Sequence, residues 1–501
     1  MSIKVKSGGA YADIVGVFHK RAGAYEAVQG VYVKDAGVYG RVDAAPIPAT
    51  VFASYNDQPS ALMGYCSQPS AGRWNMSGAP PSPGASFAYR IKGSSASMFA
   101  FGGDTTPFRV LVDSDTFSNR TIPTLAGGKI PLFSGLADTW HDVMIWQDNS
   151  GSGQGFPAPT GNLIEAFGSN AQVLPMGQAW YLGDSSFPGV FAGLTETHSF
   201  YPTSQTRKVI GISSQTGWGM SAGSIHMRAK FEKLWVFADK LATHVMVSIN
   251  GALATACALS AIDDGTQATT LWRKVDIAAQ SSYADIILSG GGREDATAPA
   301  AGHIMQGVMV TGTGADVDAP TGTRRHVVMM GASQVEGVST GARGYRNDCH
   351  LVQNRLAIYG TNCGLAGGTI TGLTAAVPTV ATKVVNKDIA LLSVGINSAD
   401  DANFQTDYQN LIQACLTAGW TKVVCRGLVT VTSNASKNAK ISAAVASFSS
   451  AAVVYADVST WTATVDGAGD TIAMPDGAHP NAAGFAKMAD YWVRDHASLF
   501  A

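Results

Sequence analysis

Val327-Val328-Met329-Met330-Gly331-Ala332-Ser333 is a short apolar run that stops at a glycine. Four consecutive apolar residues followed by glycine predict a strand buried in a parallel sheet. Ser333 would then stand at the carboxyl end of that strand and open a helix, which is where α/β sheets bind their ligands. By itself, a serine at such a turn is more often a helix cap than a nucleophile.

An alternation of strands and helices continues to the carboxyl terminus, over residues 324–501. Strands are predicted at 389–394, 423–425 and 453–455, and helices around 351–356, through 408–416 and from Asn481 onward. This succession predicts a parallel sheet covered by helices on both faces, which is a three-layer α/β domain.

Chemically active side chains collect at the predicted strand ends. Ser333 follows the first strand, Asn397 follows Val394-Gly395-Ile396, and Asp476 and His479 precede the last helix. A serine hydroxyl needs a base to accept its proton, and that base needs an acceptor to orient it. His479 can be this base, and Asp476, three residues earlier, can be its acceptor.

These blocks resemble the SGNH (GDSL-type) hydrolase superfamily, whose ordered motifs are Gly-Asp-Ser, a glycine, Gly-x-Asn-Asp and Asp-x-x-His-Pro. The matching positions are Gly331-Ala332-Ser333, Gly367, Gly395-Ile396-Asn397 and Asp476-Gly477-Ala478-His479-Pro480. The resemblance implies a catalytic triad of Ser333, Asp476 and His479. It also implies an oxyanion hole formed by the backbone N–H groups of Ser333 and Gly367 and the side-chain amide of Asn397, with Gly364 and Gly368 as alternatives to Gly367.

Two positions depart from the family pattern. Ala332 stands where the family has aspartate, and Ser398 replaces the aspartate after Asn397. Neither position carries the proton transfer in the family, so catalysis is still expected. The substrate preference of relatives does not transfer, and a catalytically silent relative is the alternative.

Residues 1–44 contain a short repeat. Lys6, Lys20 and Lys34 are spaced by 14 residues, and glycine and tyrosine positions recur with them. The pattern predicts strand, tight turn and strand, and it resembles the Lys-x-Gly-Gly-x-Tyr/Trp repeats at the ends of phage tail proteins. We predict an attachment segment, followed by a proline-containing linker at 43–49; a plain β-hairpin cap is the alternative.

The middle of the chain, residues 50–320, carries short alternating runs between turn clusters. It predicts a β-sandwich or jelly-roll-like region, carbohydrate-binding-like and either one module or two related ones, with 315–323 as a closing linker. Trp140 and Trp235 are predicted in the core. Trp180 and Trp218 are predicted to be exposed and able to stack on sugar rings.

Composition limits the partners and location of the chain. The net charge of −2 gives no field that would recruit nucleic acid, and no apolar run is long enough for membrane insertion. No secretory signal is evident at the amino terminus, so a virion tail or extracellular location is predicted. The six cysteines are predicted to be buried free thiols, with a Cys349–Cys363 pair as the alternative, and no cofactor or metal is expected.

The resemblance to SGNH hydrolases, together with a β-sandwich partner that resembles the accessory modules of carbohydrate esterases, implies a serine esterase that removes O-acetyl or other short acyl groups from a carbohydrate. Its predicted partners are an acylated polysaccharide or oligosaccharide, such as one on a bacterial surface, and phage tail or baseplate proteins. The alternatives are a lipase or thioesterase of the same superfamily and a non-catalytic, glycan-binding tail protein.

Overall fold

The computed structural model describes residues 347–501 without a gap and earlier residues in segments. These are 86–100, 107–113, 118–121, 128–147, 163–181, 187–198, 205–209, 223–239, 243–260, 270–292 and 305–337, together with short strands between 18 and 75. In the described residues no helix is long and apolar enough to cross a membrane.

Two antiparallel hairpins form near the amino terminus. Their strands are β1 (Phe18–Arg21), β2 (Ala24–Ala27), β3 (Tyr32–Asp35) and β4 (Val38–Arg41). Phe18 pairs with Ala27 and Tyr32 pairs with Arg41, so the second hairpin repeats the first 14 residues later, as the sequence repeat does. The residues between the strands, and most of the predicted linker at 43–49, lie outside the described residues.

Twelve strands follow and form two sheets and a hairpin. They are β5 (Ala49–Ser54), β6 (Leu62–Met63), β7 (Ser67–Ser70), β8 (Arg73–Asn75), β9 (Ser86–Gly93), β10 (Ser95–Ala100), β11 (Pro107–Val112), β12 (Ser118–Thr121), β13 (Gly128–Phe133), β14 (Thr139–Gln147), β15 (Leu163–Gly168) and β16 (Gln172–Pro175). One sheet has the order β13-β10-β15-β5 and the other β12-β11-β14-β9-β16, with β6 beside β9; β7 pairs with β8.

The next twelve strands repeat this topology. They are β17 (Gly177–Tyr181), β18 (Val190–Ala192), β19 (Leu194–His198), β20 (Gln205–Val209), β21 (Ser224–Phe231), β22 (Lys233–Asp239), β23 (His244–Ile249), β24 (Thr255–Ala258), β25 (Thr270–Lys274), β26 (Gln280–Gly292), β27 (Met305–Thr311) and β28 (Asp316–Asp318). The orders β17-β27-β22-β25 and β18-β21-β26-β23-β24, with β28 on β21 and β19 paired with β20, match the first set strand for strand. Buried residues of both sheets share one core, so the sheets pack face to face.

The predicted linker at 315–323 is wrong in its first part. Asp316–Asp318 forms β28, which pairs antiparallel with β21, and Val317 is buried in the core of the second pair of sheets. Asp316-Val317-Asp318 has only one apolar side chain, but alternation of polar and apolar residues suffices for a strand at the edge of a sheet. The neighbouring strand β21 supplies its hydrogen-bond partners.

The carboxyl-terminal part contains a parallel sheet and its helices. The strands are β29 (Arg325–Gly331), β30 (Ile358–Gly364), β31 (Ile389–Ser393), β32 (Lys422–Arg426), β33 (Val453–Ala456), β34 (Ala463–Thr464) and β35 (Ile472–Ala473); the helices are α1 (Ser333–Glu336), α2 (Asp348–Leu351), α3 (Ile370–Lys383), α4 (Phe404–Thr417), α5 (Ala435–Ala446) and α6 (Ala482–His496), followed by a 3-10 turn at Ala497–Phe500. The five-stranded sheet has the order β30-β29-β31-β32-β33, and every neighbouring pair in it is parallel. The predicted parallel sheet is confirmed.

Both faces of this sheet are buried, which explains the unbroken apolar runs in β29 and β31. In β29, Val328 and Met330 face the side covered by α3, α4 and α5. Val327 and Met329 face the opposite side, where α2 and α6 pack, because successive side chains of a strand point to opposite faces. The cysteines at 349, 363, 415 and 425 are buried and free, as predicted. Cys257 is free but only partly buried, which departs from the prediction, and Cys66 lies outside the described residues.

Three elements differ from the sequence-based expectation. The helix predicted around 351–356 is wrong, because α2 ends at Leu351 and turns follow. Strand β30 and helix α3 were not predicted. All seven residues of β30, Ile-Tyr-Gly-Thr-Asn-Cys-Gly, are buried although few are strongly apolar. They are enclosed between β29 and residues of the second pair of sheets, such as Ser224, whose hydroxyl donates to the Gly360 carbonyl at 3.0 Å.

Candidate active site

The turn after β29 presents Ser333 at the edge of the sheet. A Cβ atom at Gly331 would lie 2.2 Å from the Ser393 carbonyl oxygen, so only glycine allows β29 to end this close to β31. The Ala332 N–H donates to the same carbonyl at 3.2 Å, and α1 then runs for only four residues before Gly337 ends it in a left-handed conformation. Ser333 is 7% exposed, so the turn holds this residue close to the protein surface with little of it in contact with solvent.

The base and its acceptor lie on one tight turn. The carboxylate oxygen Oδ1 of Asp476 accepts from the backbone N–H groups of Ala478 at 2.9 Å and His479 at 2.7 Å, and Gly477, between Asp476 and Ala478, has φ +81°. The other oxygen, Oδ2, is 2.6 Å from Nδ1 of His479, and Nε2 of His479 is 2.8 Å from Oγ of Ser333. The three predicted triad residues are therefore brought together in a single hydrogen-bonded chain.

The protonation state of this chain follows from Asp476. Partial burial opposes its ionisation, but the hydrogen bonds from the His479 ring and from the backbone N–H groups of His479 and Ala478 outweigh burial and lower the pKa of Asp476 to about 2. Asp476 is thus an anion that can only accept, which places the ring proton of neutral His479 on Nδ1. Nε2 is then left to accept the Ser333 proton, as a general base must.

The end of β30 and the loop after it carry the three glycines considered for the second oxyanion donor. The N–H of Gly364 donates to Oδ1 of Asn362 at 2.8 Å, and the N–H of Gly368 donates to the Leu365 carbonyl at 3.0 Å. Gly367, with φ +74°, lies between these engaged positions on the exposed part of the loop. Its backbone therefore fits the predicted donor better than either alternative.

Asn397 lies beside this loop. Its Nδ2 donates to the Gly368 carbonyl at 3.2 Å, and the side-chain amide has a second hydrogen that can be directed toward a substrate. Asn397 is exposed, in contrast to the buried end of β31 that precedes it. The predicted oxyanion residues Gly367 and Asn397 are thus on neighbouring loops.

Three supporting residues were missed by sequence reasoning. Ser398, at the place of the family aspartate, accepts the Ile370 N–H at 3.1 Å and so joins the Asn397 loop to the start of α3. Lys437 donates to the Ile396 carbonyl at 3.0 Å, and the Glu336 carboxylate accepts the Ala366 N–H. Only Ser398 had a signal in the sequence, namely its departure from the family pattern.

The tryptophans of the middle region have different surroundings. Trp235 is buried, as predicted, whereas Trp140 is half-buried with the Arg90 guanidinium 5.5 Å from its ring centre. Trp180 is also half-buried: it packs on Phe187 and lines a cavity of about 610 Å³. Trp218 lies outside the described residues. Across the described segments, no group of three or more His, Cys, Asp or Glu side chains could hold a metal ion.

Solved structures similar to the chain include hydrolases and a transferase. A salicylyl-acyltransferase from a tetracycline biosynthetic pathway is 14% identical, with 65% of this chain and 98% of that chain covered and a TM-score of 0.45. A family two carbohydrate esterase from Cellvibrio japonicus is 12% identical (65% and 97% covered, TM-score 0.43). An acetyl xylan esterase from Butyrivibrio proteoclasticus is 11% identical (64% and 97% covered, TM-score 0.42). Neither a family model nor a curated protein sequence matches the chain.

Proposed function

We propose that the chain is a serine esterase that removes O-acetyl or other short acyl groups from a carbohydrate. The observation that carries this proposal is the chain of contacts from Asp476 through His479 to Ser333, at 2.6 and 2.8 Å. This arrangement supplies the three parts of nucleophilic acyl transfer: a hydroxyl, a base on it and an acceptor that orients the base.

The proposed reaction proceeds in two halves. Nε2 of His479 accepts the Ser333 proton while Oγ attacks the ester carbonyl, and the resulting oxyanion is stabilised by the N–H groups of Ser333 and Gly367 and the Asn397 amide. The protonated His479 then gives its proton to the sugar oxygen as the bond between that oxygen and the acyl carbon breaks, so the sugar leaves with a free hydroxyl and an acyl-Ser333 ester remains. Water, deprotonated by His479, attacks that ester, releases the carboxylic acid and restores Ser333.

A small acyl group is supported by the surroundings of the triad. The exposed large apolar side chains of the described residues are Leu136, Leu174, Val385, Val431 and Val465. Of these, Val431 is joined directly to the triad loop, through its N–H on the Gly477 carbonyl at 2.9 Å. Among the described residues, Val431 is the one exposed large apolar side chain that a hydrogen bond joins to the triad loop; an acetyl group needs no more than this, whereas a long acyl chain needs a continuous apolar groove.

The test compares hydrolysis of p-nitrophenyl acetate, butyrate and octanoate, followed by acetate release from acetylated xylan and from acetylated bacterial polysaccharides. We expect the acetate ester to give the highest kcat/KM and Ser333→Ala to abolish hydrolysis. Ser447→Ala, which removes a hydroxyl that accepts from Gln409 on α4, is the matched control and should stay active. Equal activity of Ser333→Ala and wild type would refute the proposal, and a preference for octanoate would favour the lipase alternative.

Attachment of residues 1–44 to a phage tail is a separate proposal. It is supported by the two hairpins that repeat 14 residues apart, each too small to bury a face by itself. Deleting residues 1–44 should leave esterase activity intact and abolish incorporation into tail particles. Incorporation of the shortened chain would contradict this role.

A further inference from the structure

The residue after the nucleophile contacts the residue before the base. Gln334 is buried, at 6% exposure, and its Nε2 donates to the carbonyl oxygens of Val429 at 2.7 Å and Ala478 at 2.8 Å. The Ala478 carbonyl belongs to the peptide unit whose N–H is that of His479. That N–H is in turn accepted by Asp476, so the peptide unit is held at both ends.

The orientation of the Gln334 amide is set by Arg426. The guanidinium Nη2 donates to Oε1 of Gln334 at 3.0 Å, and a guanidinium has no acceptor atom. A flipped amide would direct its oxygen at two carbonyls and its NH₂ group at the cation. Oε1 must therefore face Arg426, and Nε2 must face the Val429 and Ala478 carbonyls.

Arg426 is itself fixed by a buried carboxylate. It is fully buried, and its Nη1 is 2.6 Å from Oδ2 of Asp348, which also accepts the indole N–H of Trp492. Removing one member of such a pair leaves an uncompensated buried charge and is strongly destabilising. The chain from Trp492 through Asp348 and Arg426 to Gln334 thus forms a rigid buried support behind the catalytic turn.

The turn from Asp476 to His479 is an internally bonded unit. Its hydrogen bonds to Asp476 lie within the turn, so they would survive a displacement of the whole turn. Two hydrogen bonds tie the turn to distant parts of the chain, namely Gln334 to the Ala478 carbonyl and the Val431 N–H to the Gly477 carbonyl, while the Gly477 N–H donates locally to the Met474 carbonyl. Gln334 is the one of these that adjoins the nucleophile in the chain.

We infer that Gln334 is a positioning residue that sets the distance between His479 and Ser333, with Arg426 holding its amide in the required orientation. The inference rests on the proposed esterase function. A misplacement of about 1 Å can cost about 10²-fold in rate. Loss of the Gln334 donor should therefore reduce kcat and leave the Asp476–His479 pair intact.

The experiment measures kcat and KM for p-nitrophenyl acetate in Gln334→Met, which keeps the buried volume and removes the amide. We expect kcat to fall about 10²-fold with KM changed less than about threefold. The acid limb of the kcat/KM profile should keep its position, because the bonds between Asp476 and His479 are preserved. A shifted acid limb would contradict a pure displacement of the turn and overturn the inference.

Gln334→Glu separates hydrogen-bond donation from side-chain size. The glutamate has the same shape and can still accept from Arg426, but its second oxygen would face two carbonyls and cannot donate to them when ionised. We expect it to lose as much kcat as Gln334→Met. Wild-type kcat in Gln334→Glu would show that donation to Ala478 is not required.

Gln353→Met is the matched control for general destabilisation. Gln353 is also a buried glutamine with several hydrogen bonds, among them those from the Gly360 N–H and to the Ser289 hydroxyl, and it lies outside the catalytic turn. Activities are compared per folded molecule, well below the Tm of each variant. We expect Gln353→Met to lower Tm but to keep kcat within about threefold of wild type; equal losses of kcat in the two methionine variants would overturn the inference. Failure of the esterase proposal itself would appear separately, as undiminished activity in Ser333→Ala.

Discussion

Nε2 of His479 lies 2.8 Å from Oγ of Ser333, although 146 positions separate the two residues in the chain. Parallel strands meet at one edge of the sheet, and this topology delivers both side chains to the same place. The contact joins the turn after β29, the first strand of the carboxyl-terminal sheet region, to the turn that precedes its last helix, α6.

Asp476→Asn should reduce kcat by about 10³- to 10⁴-fold, because an amide NH₂ in place of Oδ2 cannot accept from Nδ1 of His479 and favours the wrong ring tautomer. Asp457→Asn is the control, since Asp457 accepts the Ser459 N–H in a similar turn away from the site. Steady-state kinetics on p-nitrophenyl acetate measure both. Similar activity of the two variants would argue against the assigned role of Asp476.

Asn397→Ala should reduce kcat by about 10²- to 10³-fold with a smaller effect on KM, because one oxyanion donor is lost. Asn386→Ala is the control, because Asn386 is exposed beyond the end of α3 and accepts the N–H of its neighbour Lys387. The oxyanion assignment requires the two asparagine variants to differ in kcat. A rise in KM with unchanged kcat in Asn397→Ala would contradict it.

Alanine at Gly364 should reduce the free energy of unfolding more than alanine at Gly367. At Gly364 a Cβ would lie 2.3 Å from the Glu336 backbone nitrogen, so we expect a loss of about 3 kcal/mol or more in the free energy of unfolding. At Gly367 nothing lies within 4 Å of the added Cβ, and the cost is that of a left-handed alanine at φ +74°, about 1–2 kcal/mol. Urea unfolding measures the two free energies. An equal loss of stability in both variants would contradict the prediction.

The contact between the second pair of sheets and the carboxyl-terminal part of the chain should weaken in acid. Burial, and then the charge of Arg324, lower the pKa of His226 well below its usual value. Oε1 of Gln353 accepts from the Gly360 N–H and lies 2.8 Å from Nε2 of His226, so this ring nitrogen carries the proton of the neutral form. The unfolded chain binds a proton near pH 6.5 and the folded chain does not, so stability should fall as the pH drops below about 6.5.

The Tm of wild type and of His226→Gln at pH 7.5 and pH 5.5 tests this prediction. The variant should lose less Tm on acidification, although the pKa of His326, also lowered by burial, leaves some acid sensitivity. Ser224→Ala keeps the histidine but removes the hydroxyl 2.8 Å from its ring, so it should lower Tm at both pH values and keep the wild-type difference. An identical difference in wild type and His226→Gln would refute the assignment.

Local pattern was sufficient for some of the fold. The apolar runs at 327–331 and 389–393 are buried on both faces, and such strands remain apolar in any parallel sheet. Helix α3 was missed although its buried residues Ile370, Leu373, Val377 and Val380 follow helical spacing, because threonines, Gly372 and Pro378 obscure that pattern. Strand β30 carries glycine, threonine and asparagine, which local propensity assigns to turns.

The sequence alone determined the order of the chemical groups: a serine after the first strand of the carboxyl-terminal sheet, an asparagine after a later strand, and an Asp-x-x-His turn before the last helix. Only the tertiary structure decided which glycine N–H is engaged elsewhere, that Gln334 reaches the Ala478 carbonyl, and that β30 is enclosed by a neighbouring pair of sheets. The physical reason is that a sequence motif shows only which residues are close along the chain. Hydrogen-bond partners 90 or more positions away, such as Val429 or Arg426 for Gln334, are selected by packing.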